Sequence, residues 1–75
     1  MNGNKVVDTK GLSCAMIVVK AKKAIDELPP GQILEIETMD QGAKNDLTAW
    51  INVSGHELVD YKEENGVWKC WVKRK

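Results

Sequence analysis

The feature that most constrains the fold is an apolar run that repeats at helical spacing and then stops at two prolines. From Cys14 onward, apolar side chains recur every three or four residues, at Ile17, Val18, Ala21, Ala24, Ile25 and Leu28. Lysines and acidic residues fill the positions between them, so one side of the segment is apolar and the other is charged. Pro29 and Pro30 cannot continue a helix. The pattern predicts an amphipathic helix over residues 14–28, preceded by a short strand at residues 6 and 7.

A second strand and a second helix follow the prolines. Residues 33–37 alternate in the manner of a strand, with Glu35 and Glu37 on one face. Further along, one helical stripe is formed by Ala43, Leu47, Trp50 and Ile51. Asp40 is expected to cap the start of this helix, and Gly55 to end it in a left-handed conformation.

The last third of the chain reads as a β-hairpin. The segments HELVDYKEE and GVWKCWVKR meet at Asn65-Gly66, a dipeptide typical of tight hairpin turns. In the final strand Trp68, Cys70 and Val72 share one face, and we expect Cys70 to be buried.

The order of elements is βαβαββ, which indicates the α+β class. We expect a two-layer α/β sandwich in which two helices pack on one face of a four-stranded mixed sheet. Residues 1–75 are expected to form a single domain, because the chain contains no linker, repeat or low-complexity stretch.

Charge and hydropathy exclude several classes of function. The 75 residues include 11 Lys and Arg and 11 Asp and Glu, so no overall field attracts nucleic acid or anionic lipid. No stretch of about 18 apolar residues and no secretory signal pattern is present. We therefore expect a cytoplasmic monomer that binds neither nucleic acid nor membrane.

The two cysteines, Cys14 and Cys70, are too far apart in the sequence to form a CxxC pair or a clustered zinc site. Two free thiols are expected, with no metal and no cofactor.

Cys14 stands where the first helix is predicted to begin. There the unpaired N–H groups and the positive end of the helix dipole favour a thiolate, which is the reactive form. The donors would be the N–H groups of Ala15, Met16 and Ile17. A free cysteine at such a place can equally be a small inert apolar residue, and physical reasoning leaves both readings open.

The sequence resembles the TusA/SirA-like family of small sulfur carriers. The segments VDTKGLSCAMIVVKAKKAI and MDQGAKNDLTAWINVSGHEL carry the likeness. The matching positions are Asp8, Gly11, Leu12, Cys14, Lys22, Lys23, Asp40, Asp46, Trp50, Gly55 and His56.

The resemblance implies the same sandwich fold and a function for Cys14. As the carrier residue, Cys14 would accept sulfane sulfur as a persulfide and pass it to the next acceptor. The implied partners are a sulfur donor, such as a cysteine desulfurase or a rhodanese, and a downstream acceptor protein.

One departure from the family pattern lies at the cysteine. The family reads CPxP, whereas here Cys14 is followed by Ala15, Met16 and Ile17. Proline at the first helical position presets the backbone, so its loss reduces rigidity there. This departure keeps an alternative open, namely a non-catalytic interaction or regulatory domain with a redox-sensitive Cys14.

A third possibility, an RNA-binding module, is disfavoured by the zero net charge and the scarcity of aromatic residues.

A basic cluster on the first helix is a further candidate. Lys20, Lys22 and Lys23 are expected to be exposed and could receive an acidic partner, although a solvated helix face explains them as well. His56 is interpreted as a residue at the start of a strand, without a catalytic role.

Overall fold

A computed structural model describes residues 3–75, apart from the side chain of residue 14. It contains four strands and two helices in the predicted order. The elements are β1 (Lys5–Asp8), α1 (Cys14–Asp26), β2 (Ile33–Thr38), α2 (Ala43–Ser54), β3 (Glu57–Glu64) and β4 (Val67–Lys73).

The sheet is mixed, with strand order β1-β2-β4-β3. β1 and β2 are parallel, whereas β4 runs antiparallel to both β2 and β3. Parallel strands need a crossover connection, and α1 supplies it between β1 and β2. The predicted α+β sandwich, with two helices and a four-stranded mixed sheet, is confirmed.

Strand directions bring several chain ends to one edge of the sheet. β1 and β2 both finish there, and short connections start α1 and α2 from the same edge. Because β4 is antiparallel to its neighbours, the β3–β4 turn lies at this edge as well. We call it the carboxyl edge, after the ends of β1 and β2.

Apolar residues from both helices and the sheet fill the space between the two layers. The largest fully buried apolar side chains are Ile17, Ile25, Leu34, Ile36, Leu47, Ile51, Val72 and Cys70. Each buried Leu or Ile contributes about 1.5–3 kcal/mol relative to an exposed one. Most residues of the two predicted helical stripes are therefore in the core, while Val18 and Trp50 are partly buried against it. Cys70 is buried as expected.

Several predicted helix and turn residues have the expected backbone geometry, but one cap differs. Gly55 ends α2 with φ +81°, and Asn65 and Gly66 adopt φ +54° and +81° in the hairpin turn. Asp40 does not cap α2 directly. Its Oδ1 accepts the Gly42 N–H at 2.9 Å, and Gly42 is the residue that precedes the helix. Asp40 thus shapes the turn before the helix.

The face of the sheet opposite the helices holds a buried polar pair. Trp71 Nε1 donates to Glu35 Oε1 at 2.8 Å, and the two residues are only 6% and 9% exposed. An indole N–H that reaches a carboxylate satisfies both groups inside a poorly hydrated site.

Candidate functional site

Residues 9–13 connect β1 to α1, and the first four of them form a turn. The Leu12 N–H donates to the Thr9 carbonyl at 3.1 Å, which closes the turn. Gly11 has φ +89°, a left-handed conformation that favours glycine. Leu12 is partly buried and packs against the core, so the chain re-enters the fold just before the helix.

The first helical hydrogen bond fixes which N–H groups are available at the start of α1. The Ile17 N–H donates to the Ser13 carbonyl at 2.9 Å. The Ile17 N–H is therefore already paired and is not free to donate to an anion on Cys14. The Ile17 side chain is fully buried. The N–H groups of residues 14–16 come before this first bond and have no acceptor within the helix. Of the predicted donors, Ala15 and Met16 fit this arrangement.

Cys14 is the first residue of α1. Its side chain lies outside the part of the chain that the structure describes. The residues on either side, Ser13 and Ala15, are exposed, as is Met16 at 52%. Solvent and a protein partner can therefore approach the start of α1 at the carboxyl edge.

Charged side chains surround the turn that precedes α1. Lys10 Nζ lies 3.5 Å from Glu37 Oε2 and 3.8 Å from Asp8 Oδ2, while Lys69 Nζ lies 4.0 Å from Glu37 Oε1. Exposed pairs of this kind are typically worth less than about 1 kcal/mol each. Asp8, Glu37 and Lys69 are register partners across β1, β2 and β4, on the sheet face that also carries Glu35 and Trp71. The charged cluster therefore lies at the carboxyl edge, on the face opposite the helices.

Cys70 lies in a very different environment. It is fully buried in β4, and burial raises the pKa of its thiol from 9.0 to about 12, although a hydrogen bond with the Ile36 backbone opposes the rise. A thiol with such a pKa is almost entirely protonated near neutral pH. Cys70 is therefore a core residue and not a nucleophile.

The sequence of residues 5–74 matches the family described as Sulfurtransferase TusA. The chain belongs to the TusA family. The Bacillus subtilis protein YrkI is 49% identical over 74 residues, and the alignment covers 99% of each chain. Sulfur carrier protein TusA of Allochromatium vinosum is 32% identical, covering 91% of this chain and 90% of the relative.

A solved structure confirms the fold that TusA-family membership implies. The crystal structure of a SirA-like protein from Desulfitobacterium hafniense superposes with a TM-score of 0.82. It covers 92% of this chain and 95% of the other, at 24% sequence identity. At this sequence identity the structural similarity supports the fold and says nothing about function.

The three lysines proposed as a docking cluster in this TusA-family chain are exposed but do not share one surface. Lys20 and Lys23 line a groove between α1 and the edge strand β1, and Lys20 Nζ lies 3.4 Å from the Asp8 carbonyl oxygen. Lys22 is two residues from Lys20, and residues at that spacing do not face each other on a helix. A partner that contacts all three must span two sides of α1.

His56 lies at the edge of the sheet opposite the carboxyl edge. Its Nδ1 accepts the Lys75 N–H at 3.0 Å, and its ring packs at 5.7 Å from Trp50. Burial, assisted by the Arg74 charge, lowers its pKa. His56 belongs to the packing around the end of α2 and is remote from the start of α1.

Sequence reasoning missed one residue beneath the site, Thr9. It is fully buried at the end of β1, and its Oγ1 donates to the Glu37 carbonyl at 2.6 Å. Its acceptor is distant in sequence, so only the parallel pairing of β1 with β2 reveals the contact.

Proposed function

We propose that this chain is a sulfur carrier that accepts and passes on sulfane sulfur as a persulfide of Cys14. The observation that carries the proposal is that a TusA-family chain begins its first helix at Cys14. The unpaired N–H groups of the first turn favour an anion on that sulfur. The second cysteine, Cys70, is buried and protonated, which leaves Cys14 as the chain's candidate nucleophile.

The transfer is a thiol exchange at sulfur. The Cys14 thiolate attacks the terminal sulfur of a donor persulfide, so that a bond forms between Cys14 Sγ and that sulfur. The donor S–S bond breaks, and the donor cysteine leaves as a thiolate. Sulfur and its proton move together, so neither an external oxidant nor a reductant is required. The reverse exchange with an acceptor thiolate discharges the carrier.

The residues that replace the family prolines fit this chemistry. Ala15 retains a backbone N–H that proline would lack, and this group can donate to an anionic sulfur on Cys14. The first turn gains a donor while its backbone is less restricted. We propose that carrier function survives the substitution.

The proposed partners are proteins that hold persulfides or accept them. A cysteine desulfurase or a rhodanese is the expected class of donor, and a protein thiol is the expected class of acceptor. Lys20, Lys22 and Lys23 are the proposed contacts for an acidic donor. We propose that residues 1–75 act as one domain in the cytoplasm, where thiols remain reduced.

The test is intact-mass spectrometry after incubation with a cysteine desulfurase and cysteine. We expect the protein to gain sulfur that dithiothreitol removes. Cys14→Ser should abolish the gain, whereas Cys70→Ala should retain it. If no gain occurs and Cys14 alkylates no faster than an ordinary thiol, the carrier proposal is wrong and the chain is better described as an interaction domain.

A further inference from the structure

Thr9 directly follows β1 and begins the turn before α1. Thr9 is fully buried at the carboxyl edge. Its backbone N–H donates to the Glu37 carbonyl at 2.9 Å, and its Oγ1 donates to the same oxygen at 2.6 Å. One carbonyl of β2 therefore holds Thr9 through two hydrogen bonds, of which the side chain supplies the shorter.

The same residue controls the turn that follows. The Thr9 carbonyl accepts the Leu12 N–H at 3.1 Å, and Leu12 packs against the core. Two residues later the chain reaches Cys14 at the start of α1. The direction in which the chain enters the helix thus depends on how firmly Thr9 is fixed to β2.

The first turn of α1 has little local restraint of its own. Positions 15–17 are Ala, Met and Ile, and no proline fixes φ there. The stabilising effect of a helix N-terminus on an anion falls off within the first turn. A sulfur atom that is poorly held against the N–H groups would lose much of that effect.

We propose that Thr9 is a positioning residue for Cys14, whose buried hydroxyl fixes the turn and thereby holds the thiolate against the first turn of α1. The inference rests on the proposed carrier function of Cys14. It assigns Thr9 an indirect role, since its hydroxyl bonds a backbone carbonyl of β2 and not the reacting atoms.

The test compares variants in a Cys70→Ala background, so that Cys14 is the one thiol. Thr9→Val keeps the side-chain shape and removes the hydroxyl, whereas Thr9→Ser keeps the hydroxyl. Thr38→Val is the matched control, because Thr38 is also fully buried at the end of a neighbouring strand. Its Oγ1 accepts the Asp40 N–H at 3.1 Å and so serves the loop before α2 instead.

The readout is the pH dependence of iodoacetamide alkylation of Cys14, with urea unfolding measured on each variant. We expect Thr9→Val to raise the pH midpoint by about half a unit, the size of a helix N-terminal effect. Thr9→Ser and Thr38→Val should keep the parental midpoint. If valine at position 9 prevents folding, Thr9→Ala provides the same comparison.

Two results would overturn the inference. One is that Cys14 in Thr9→Val is alkylated with the same pH midpoint as in the parent. This result would also be seen if Cys14 behaved as an ordinary thiol in every variant. The other is an equal shift in Thr38→Val, which would mean that any lost hydroxyl at this edge has the same effect. Loading of the parent by a desulfurase tests the carrier function separately, so the two failures are distinguishable.

Discussion

The two cysteines should differ in reactivity far more than two exposed thiols would. Burial raises the pKa of Cys70 from 9.0 to about 12. At pH 8 its thiolate fraction is then about 10⁻⁴, against about 10⁻¹ for an unperturbed thiol, a difference of about a thousandfold. The side chain is also fully buried, so a reagent must wait for the fold to open.

The assay is alkylation of the folded protein with iodoacetamide at pH 8, followed over time by intact-mass spectrometry. We expect a single adduct on the folded chain, absent in Cys14→Ser and retained in Cys70→Ala. In denaturing urea both cysteines of the unmodified sequence should react. Labelling of Cys70 in the folded protein at its denatured rate would refute the assignment of this thiol to the core.

Three further predictions concern the first turn of α1, the buried polar pair and alkaline stability. Replacing Ala15 with proline removes an N–H beside Cys14, so the pKa of Cys14 measured by its alkylation profile should rise; an unchanged pKa would mean that this N–H does not stabilise the thiolate. Trp71→Phe leaves the Glu35 carboxylate buried without its donor and should lower the free energy of unfolding in urea by about 1–3 kcal/mol. Glu35→Gln keeps an acceptor and should lose less, whereas a neutral Trp71→Phe would contradict the assigned bond. Because the pKa of Cys70 is raised on folding, its contribution to stability is complete below pH 9 and is lost as the pH rises toward about 12. Between these values the free energy of unfolding should fall more steeply than in Cys70→Ala, by up to about 1.4 kcal/mol per pH unit, and parallel curves for the two proteins would contradict the raised pKa.

Most of the fold could be predicted because the spacing of apolar residues and the positions of turn-forming residues indicate the same helices and strands. Helical spacing from Cys14 and the two prolines define α1. The helix ends at Asp26, two residues before the predicted end, because the Glu27 and Leu28 N–H groups bond the carbonyls three residues earlier and tighten the chain there. Asn65 and Gly66 likewise define the hairpin, since both adopt positive φ. The cap of α2 was less predictable. Asp40 has the expected residue type, but its carboxylate forms the turn to Gly42 instead.

The candidate site was predicted only in part, since several of its contacts join distant segments. The position of Cys14 at the helix start follows from local sequence. The Ile17 N–H is the fourth in the helix and bonds to the Ser13 carbonyl, a contact that the residue types alone did not indicate. Thr9 was missed because its acceptor lies in β2, which is distant in sequence.

The central claim is that sulfur travels on Cys14, and peptide-resolved mass spectrometry tests it most directly. The protein is loaded by a desulfurase with isotopically labelled cysteine, trapped with an alkylating reagent, digested, and compared with a sample first incubated with an acceptor thiol. We predict that the labelled sulfur lies on the peptide that contains Cys14 and disappears after incubation with the acceptor. Labelled sulfur on the Cys70 peptide, or sulfur on Cys14 that no acceptor thiol removes, would contradict the account.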